Sequence, residues 1–235
     1  MIRSCFLAFC AACAACPATA VLIRPDRDDA EYLELASRYT ASIALTAPAS
    51  EAVLVAPRWL LVPASRAPAA GKPLEIAGKS NVVARVVTHP DAKPQTSTDL
   101  ALVQLARPIE GVKPIAPYRK DDEAGNAVVI VAHGATGTIG KAGRREDFRG
   151  RGAINTIDGV TPQAFELRIK AADDASDLQG ALVAGEEGAA AYVETDAGLF
   201  LAGIYFGDGR ESNRFSRISA FAGWLDSVIQ GNPSR

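Results

Sequence analysis

Beyond residue 40 the apolar residues come in short runs, and that spacing constrains the fold of the 235-residue chain more than any other feature. Runs fall at 42–46, 52–56, 60–62, 74–77, 82–88 and 101–105, then at 127–132, 164–169, 180–184, 190–194 and 198–206. Gly, Pro and Asp punctuate them. Short runs at about ten-residue spacing predict an all-β sandwich or barrel. One segment departs from this. From Ser219 onward, Phe221, Trp224, Leu225, Val228 and Ile229 recur at helical spacing, which predicts a C-terminal amphipathic helix over 219–230 with Ser219 as its cap. The acidic stretch 26–31, followed by Tyr32-Leu33-Glu34-Leu35, suits a short helix near the start. The prolines at 108, 114 and 117, followed by 120–123, suit a crossing between two halves.

The first twenty residues carry a different message. Arg3 gives a positive start, 4–16 is an uncharged run of apolar and small residues, and Ala18-Thr19-Ala20 fits an A-x-A cleavage pattern. This reads as a secretory signal peptide over 1–20, too short for a membrane span, with a mature chain of 21–235 starting near Val21. All four cysteines (Cys5, Cys10, Cys13 and Cys16) lie in that leader, so the mature chain relies on its core without disulfides. Losing Arg3 leaves 24 basic against 27 acidic residues. That balance lacks the basic excess of a nucleic-acid binder.

Four blocks then share one resemblance. "AVLVAPRWLLVPAS" (52–65) runs apolar strand, turn with a Trp, and second strand. "STDLALVQLARPI" follows at 97–109, "ASDLQGALV" at 175–183, and "GIYFGDG" with "RFSRIS" within 203–219. In that order they resemble the trypsin-like serine peptidases, whose blocks read "LTAAHC", "NDIALLKLxxPV", "GDSGGPLV" and "GIVSWG…VYTRVS". The resemblance implies two packed six-stranded antiparallel β-barrels, the first over about 40–115, the second over about 120–218, with the helix 219–230 laid across them.

The family's chemistry needs a serine nucleophile, a histidine that takes its proton, an aspartate that orients the imidazole, and backbone N–H groups that hold the oxyanion. Carried over residue by residue, the aspartate is kept as Asp99. Ser65 stands at the histidine position, with Arg66 in place of the following cysteine, and Leu178 stands at the nucleophile position. Ser176 and Gln179 replace glycines of the oxyanion loop, while Asp177 and Gly180 match. The resemblance therefore implies an exported homologue without catalysis, acting by protein or peptide binding through the inter-barrel cleft or its loops. The alternative is an active serine endopeptidase with a rearranged site.

Other chemistry-bearing residues read as structural. His89 falls in a surface loop and His133 in the wall of the second barrel. Ser176 lacks a base in sequence reach, although Lys170 precedes it. "GATGTIGKAG" (134–143) lacks the spacing and the Ser or Thr of a phosphate loop. The basic residues Lys141, Arg144, Arg145, Arg149 and Arg151 read as one solvated loop, and the acidic clusters at 121–123 and 173–177 lack a calcium pattern. The expectations are no cofactor, no metal and no nucleic acid. After cleavage the chain should be a monomer free of the membrane, in the periplasm or the medium.

Overall fold

The computed structural model describes residues 19–46, 49–76, 78–209 and 211–231; most of the leader, with its four cysteines, lies outside the described residues. Six strands form the first sheet: β2 (Ser42–Thr46), β3 (Ala49–Ala56), β4 (Trp59–Val62), β5 (Pro73–Ile76), β6 (Lys79–Thr88) and β7 (Ala101–Leu105). They pair antiparallel in the order β2-β3-β4-β7-β6-β5, and the two edge strands lie against each other, so the sheet curls into a nearly closed barrel. Leu54, Leu60, Leu61, Leu100, Leu102 and Leu105, all fully buried, belong to the hydrophobic cluster it builds, some facing inward and some facing the other half. Burying each such side chain is worth about 1.5–3 kcal/mol.

The second sheet is larger. Its long members are β9 (Ala127–Thr138), β10 (Arg144–Thr156), β12 (Ala164–Arg168), β14 (Ala190–Thr195), β15 (Gly198–Asp208) and β16 (Ser212–Arg217). They run β12-β16-β15-β14-β9, with β10 on the other edge of β9, and β10 returns to touch β12. Two-residue segments β8 (Ala116–Pro117), β11 (Gly159–Val160) and β13 (Gly180–Ala181) and the N-terminal β1 (Thr19–Ile23) add to it, giving ten strands. The fold is all-β, two sheets of which one is a nearly closed barrel, with a C-terminal helix.

Helix α2 (Ile218–Ile229) buries Ile218, Phe221, Ala222 and Leu225. Its cap is Arg217 rather than Ser219, which sits inside the first turn and donates its hydroxyl to Glu123. Glu123 is almost fully buried and also accepts from Arg217 Nε at 2.9 Å and Nη2 at 2.6 Å. A tertiary partner thus outweighs the local cap. Helix α1 (Asp29–Ala36) forms where the acidic stretch ends, with Glu31 accepting from the Asp28 N–H at 3.1 Å.

The largest departure from the sequence reading is β10. Its polar segment, expected to be a solvated loop, is a thirteen-residue strand paired along β9. The reason is visible at Arg151, whose side chain is 0 % exposed. It donates to Asp29 at 2.6 and 2.8 Å and to Asp147 at 2.8 and 2.7 Å. Two carboxylates satisfy the buried guanidinium, so a strand rich in arginine can be a barrel wall. His89 also differs from an open loop residue. Its ring lies edge-on to Phe221 and Trp224 of α2, with centroids at 5.3 and 5.1 Å.

Candidate functional site

After β4 the chain passes Pro63 and forms a single 3-10 turn, Ala64–Arg66. Proline fixes the extended residue that leads into this turn, and the turn presents Ser65 above Asp99. The Ser65 N–H donates to Asp99 Oδ1 at 2.8 Å, and the Ser65 hydroxyl donates to Oδ2 at 2.6 Å. A third donor, the Gln95 N–H, reaches Oδ2 at 3.3 Å. Asp99 is 3 % exposed, whereas Ser65 faces solvent. A buried carboxylate needs such donors. Here a serine and two backbone groups supply them, and no imidazole does.

The other half of the molecule meets this turn through Arg66. Its Nη2 lies 3.1 Å from Glu187 Oε2, and Glu187 Oε1 accepts from the Gly185 N–H at 3.1 Å. The turn 185–188 leads into β14 and packs tightly on the first barrel. A Cβ on Gly188 would lie 2.4 Å from the Glu51 carbonyl oxygen and 2.8 Å from Pro63 Cδ, and the residue has a φ of +99°. Only glycine suits that conformation and that approach.

Two further ionisable groups sit beside this turn. Glu186 is 1 % exposed; its Oε2 accepts from the Val183 N–H at 2.6 Å, and its Oε1 has no partner among the described residues. Burial raises its carboxyl well above the usual range, only partly opposed by the Val183 N–H. Glu51 on β3 accepts from the His133 N–H at 2.6 Å, and its Oε2 lies 3.0 Å from His133 Nδ1. Burial alone would lower the imidazole pKa, but the charge and hydrogen bond of Glu51 outweigh it and the net shift is upward.

The structure does not bring Leu178 to the Ser65–Asp99 pair by any hydrogen bond or ion pair. The Leu178 carbonyl accepts from the Ile154 N–H at 2.8 Å, and its half-buried side chain packs between the two hydrophobic clusters. Its neighbours are stitched elsewhere. The Ser176 hydroxyl donates to the Ile154 carbonyl, the Ser176 carbonyl accepts from Arg24 at 3.0 Å, and the Gln179 side chain bonds the Lys170 backbone twice at 2.9 Å. Lys170 itself pairs with Asp158 at 3.0 Å, so no Ser176–Lys170 dyad forms. Arg27 holds Asp177.

Of the residues expected at the site, Ser65 and Asp99 lie within hydrogen-bonding distance, whereas Glu187, Glu186 and Glu51 are not expected from the sequence and His133 is expected there only as packing. One signal was available. The Gly-acid-x-Gly spacing of "GDSGGPLV" also occurs as Gly185-Glu186-Glu187-Gly188. Among the described residues no group of three or more His, Cys, Asp or Glu is arranged to hold a metal ion.

Residues 66–175 match the family model described as Trypsin. That span includes Asp99, begins one residue after Ser65, and stops before both Leu178 and Glu187. No curated protein matches the chain.

Proposed function

We propose that this chain, a homologue of the trypsin-like serine peptidases, no longer hydrolyses peptides and acts by binding a protein or peptide through the cleft between its halves. The observation that carries this reading is at Asp99, whose two carboxylate oxygens are both occupied by Ser65. With Ser65 at the histidine position, the aspartate has no imidazole to orient. A serine hydroxyl cannot take a proton near neutral pH, because a general base must have a pKa near the operating pH. The nucleophile position is equally empty of chemistry in either register. Leu178 offers an isobutyl group. Glu187, which faces the turn from across the seam, offers a carboxylate already paired with Arg66. Losing nucleophile or base alone costs about 10⁶-fold in rate, and the two act as a unit.

The remaining parts of the reading follow from the sequence. Residues 1–20 are an export leader, and the mature chain 21–235 comprises halves of about 40–115 and 120–218. A start at Val21 keeps the pairings of Leu22 with Ala181 and Ile23 with Gly180. No helix among the described residues is long and apolar enough to cross a membrane. The protein is a periplasmic or secreted monomer that needs neither cofactor nor nucleic acid.

One observation favours a second reading. The Ser65 hydroxyl and Asp99 form a 2.6 Å hydrogen bond, the contact from which a rearranged active site would have to be built. Hydrolysis separates the two. Mature protein incubated with a mixed peptide pool and an activated ester is expected to release nothing above the buffer rate. Turnover that disappears in Ser65→Ala would establish the rearranged site instead.

A further inference from the structure

The end of the β9–β10 hairpin lies beside β1 and the start of α1, and together they border a cleft of about 420 Å³. Ile23, Asp29 and residues 136–138 and 141–145 line it. Clefts of this size hold small ligands. Asp29 is the one acid in the wall. Its Oδ1 accepts from Arg151 Nε at 2.6 Å, and its Oδ2 accepts from Arg151 Nη2 and Arg145 Nη2, each at 2.8 Å. The carboxylate is saturated by protein donors.

Other donors of the same wall are not matched. The Lys141 ammonium, the Arg144 guanidinium and the Thr138 hydroxyl have no hydrogen-bond or ion-pair partner among the described residues. The N–H groups of Ala142 and Gly143 likewise have no acceptor among them. Two glycines set the backbone here. A Cβ on Gly137 would stand 3.0 Å from Leu22 Cδ2 and 3.1 Å from the Gly143 carbonyl oxygen, so its absence lets the hairpin end close against β1. Gly143 has a φ of +98°, and nothing stands within 4 Å of where its Cβ would lie. That side of the backbone is open to an incoming group.

We propose that this cleft binds a phosphate monoester of a small molecule. Lys141 and Arg144 supply its charge partners, and the Thr138 hydroxyl and the Ala142 and Gly143 N–H groups donate to its oxygens. A phosphate monoester carries about −1.5 to −2 charge at pH 7 and three strong acceptor oxygens, which suits two unpaired cations flanked by neutral donors. A carboxylate brings one charge and two oxygens and leaves donors unmatched. The negative charge of Asp29 is offset by Arg145 and Arg151, and the exposed Glu146 does not line the cleft. The site shares no residue with the Ser65–Asp99 pair and stands whether or not hydrolysis is lost.

Calorimetric titration of the mature protein in a low-salt buffer free of phosphate tests this, with glycerophosphate, glycerate and glycerol as probes. Glycerophosphate should bind, glycerate should bind about tenfold more weakly, since a hydrogen bond to a charged group is worth about that factor, and glycerol should not bind. Lys141→Gln and Arg144→Gln, both changes at exposed residues, should leave the melting temperature unchanged and each weaken glycerophosphate about tenfold. Arg149→Gln is the control. Arg149 is as exposed and its side chain has no ion pair among the described residues, but it lies outside the cleft. Its loss should change the affinity by less than about twofold, because charges at a distance are screened. Equal losses in all three variants would show a diffuse basic surface, and equal binding of glycerate a site for any anion. Retention on phosphatidylglycerol vesicles without affinity for glycerophosphate would assign the cations to a membrane surface. Each of these results, like an absence of glycerophosphate binding, would overturn the inference, and none bears on the reading of the Ser65 site.

Discussion

Gly188→Ala should lower the midpoint of thermal unfolding by roughly 6–12 °C. A left-handed backbone costs a residue with a Cβ about 1–2 kcal/mol, and the added carbon would stand 2.4 Å from the Glu51 carbonyl oxygen, a backbone atom that cannot swing aside. Overpacking of that kind costs about 1–3 kcal/mol more. The sum, about 3 kcal/mol, converts at about 2–4 °C per kcal/mol for a chain of this size. The same change should release Glu187 from Arg66, because Gly188 seats the turn against Pro63. Gly223→Ala serves as the control. It lies in α2, nothing stands within 4 Å of its added Cβ, and it should be neutral or mildly stabilising. A Gly188→Ala protein that melts with the wild type would show that the turn is not pressed against the first barrel.

Arg151→Met should cost more. The guanidinium is fully buried and bridges Asp29 of α1 to Asp147 of β10. Removing it leaves two partly buried carboxylates held only by the exposed Arg145, which lies 2.8 Å from Asp29 and 3.3 Å from Asp147, and breaking such a network costs about 3–5 kcal/mol, or roughly 6–20 °C. The pH dependence identifies the cause. Hydrogen bonds from Arg151 hold Asp29 below the usual carboxylate range and Asp147 far below it. Groups with depressed pKa values stabilise the fold above their unfolded values of about 3.9 and lose that contribution as pH falls through the folded values. The variant lacks the larger, Arg151 part of this contribution from the start and keeps the smaller part from Arg145. Its deficit should be full at pH 7 and shrink as pH drops below about 4, in unfolding monitored by circular dichroism. A deficit independent of pH would instead assign the loss to packing.

The contrast between β7 and β10 explains how much of the fold the sequence revealed. Residues 101–105, apolar apart from Gln104, form a short run between Asp99 and Pro108, and β7 spans that run. Segment 144–156 has arginines where a strand usually has valines. Nothing local says that Asp29, 122 positions away from Arg151, will neutralise one of them. The site divides in the same way. Ser65 and Asp99 belong to blocks with a recognisable order, and the structure brings them to hydrogen-bonding distance. The opposite wall is built from glutamates outside the apolar runs, set in place by burial and by the approach of Gly188 to β3. His133 was read as wall packing because no spacing along the chain links it to Glu51, which lies 82 positions away.

The most direct test of the loss of hydrolytic chemistry is the intact mass of the mature protein after prolonged exposure to excess fluorophosphonate. Such a probe forms a stable adduct only with a serine whose hydroxyl is activated. The Ser65 hydroxyl hydrogen-bonds Asp99 with no imidazole to remove its proton, and the Ser176 hydroxyl is bonded to a backbone carbonyl. One species at unmodified mass is expected. A stoichiometric adduct located at Ser65 and absent from Ser65→Ala, or located at Ser176 and absent from Ser176→Ala, would contradict it.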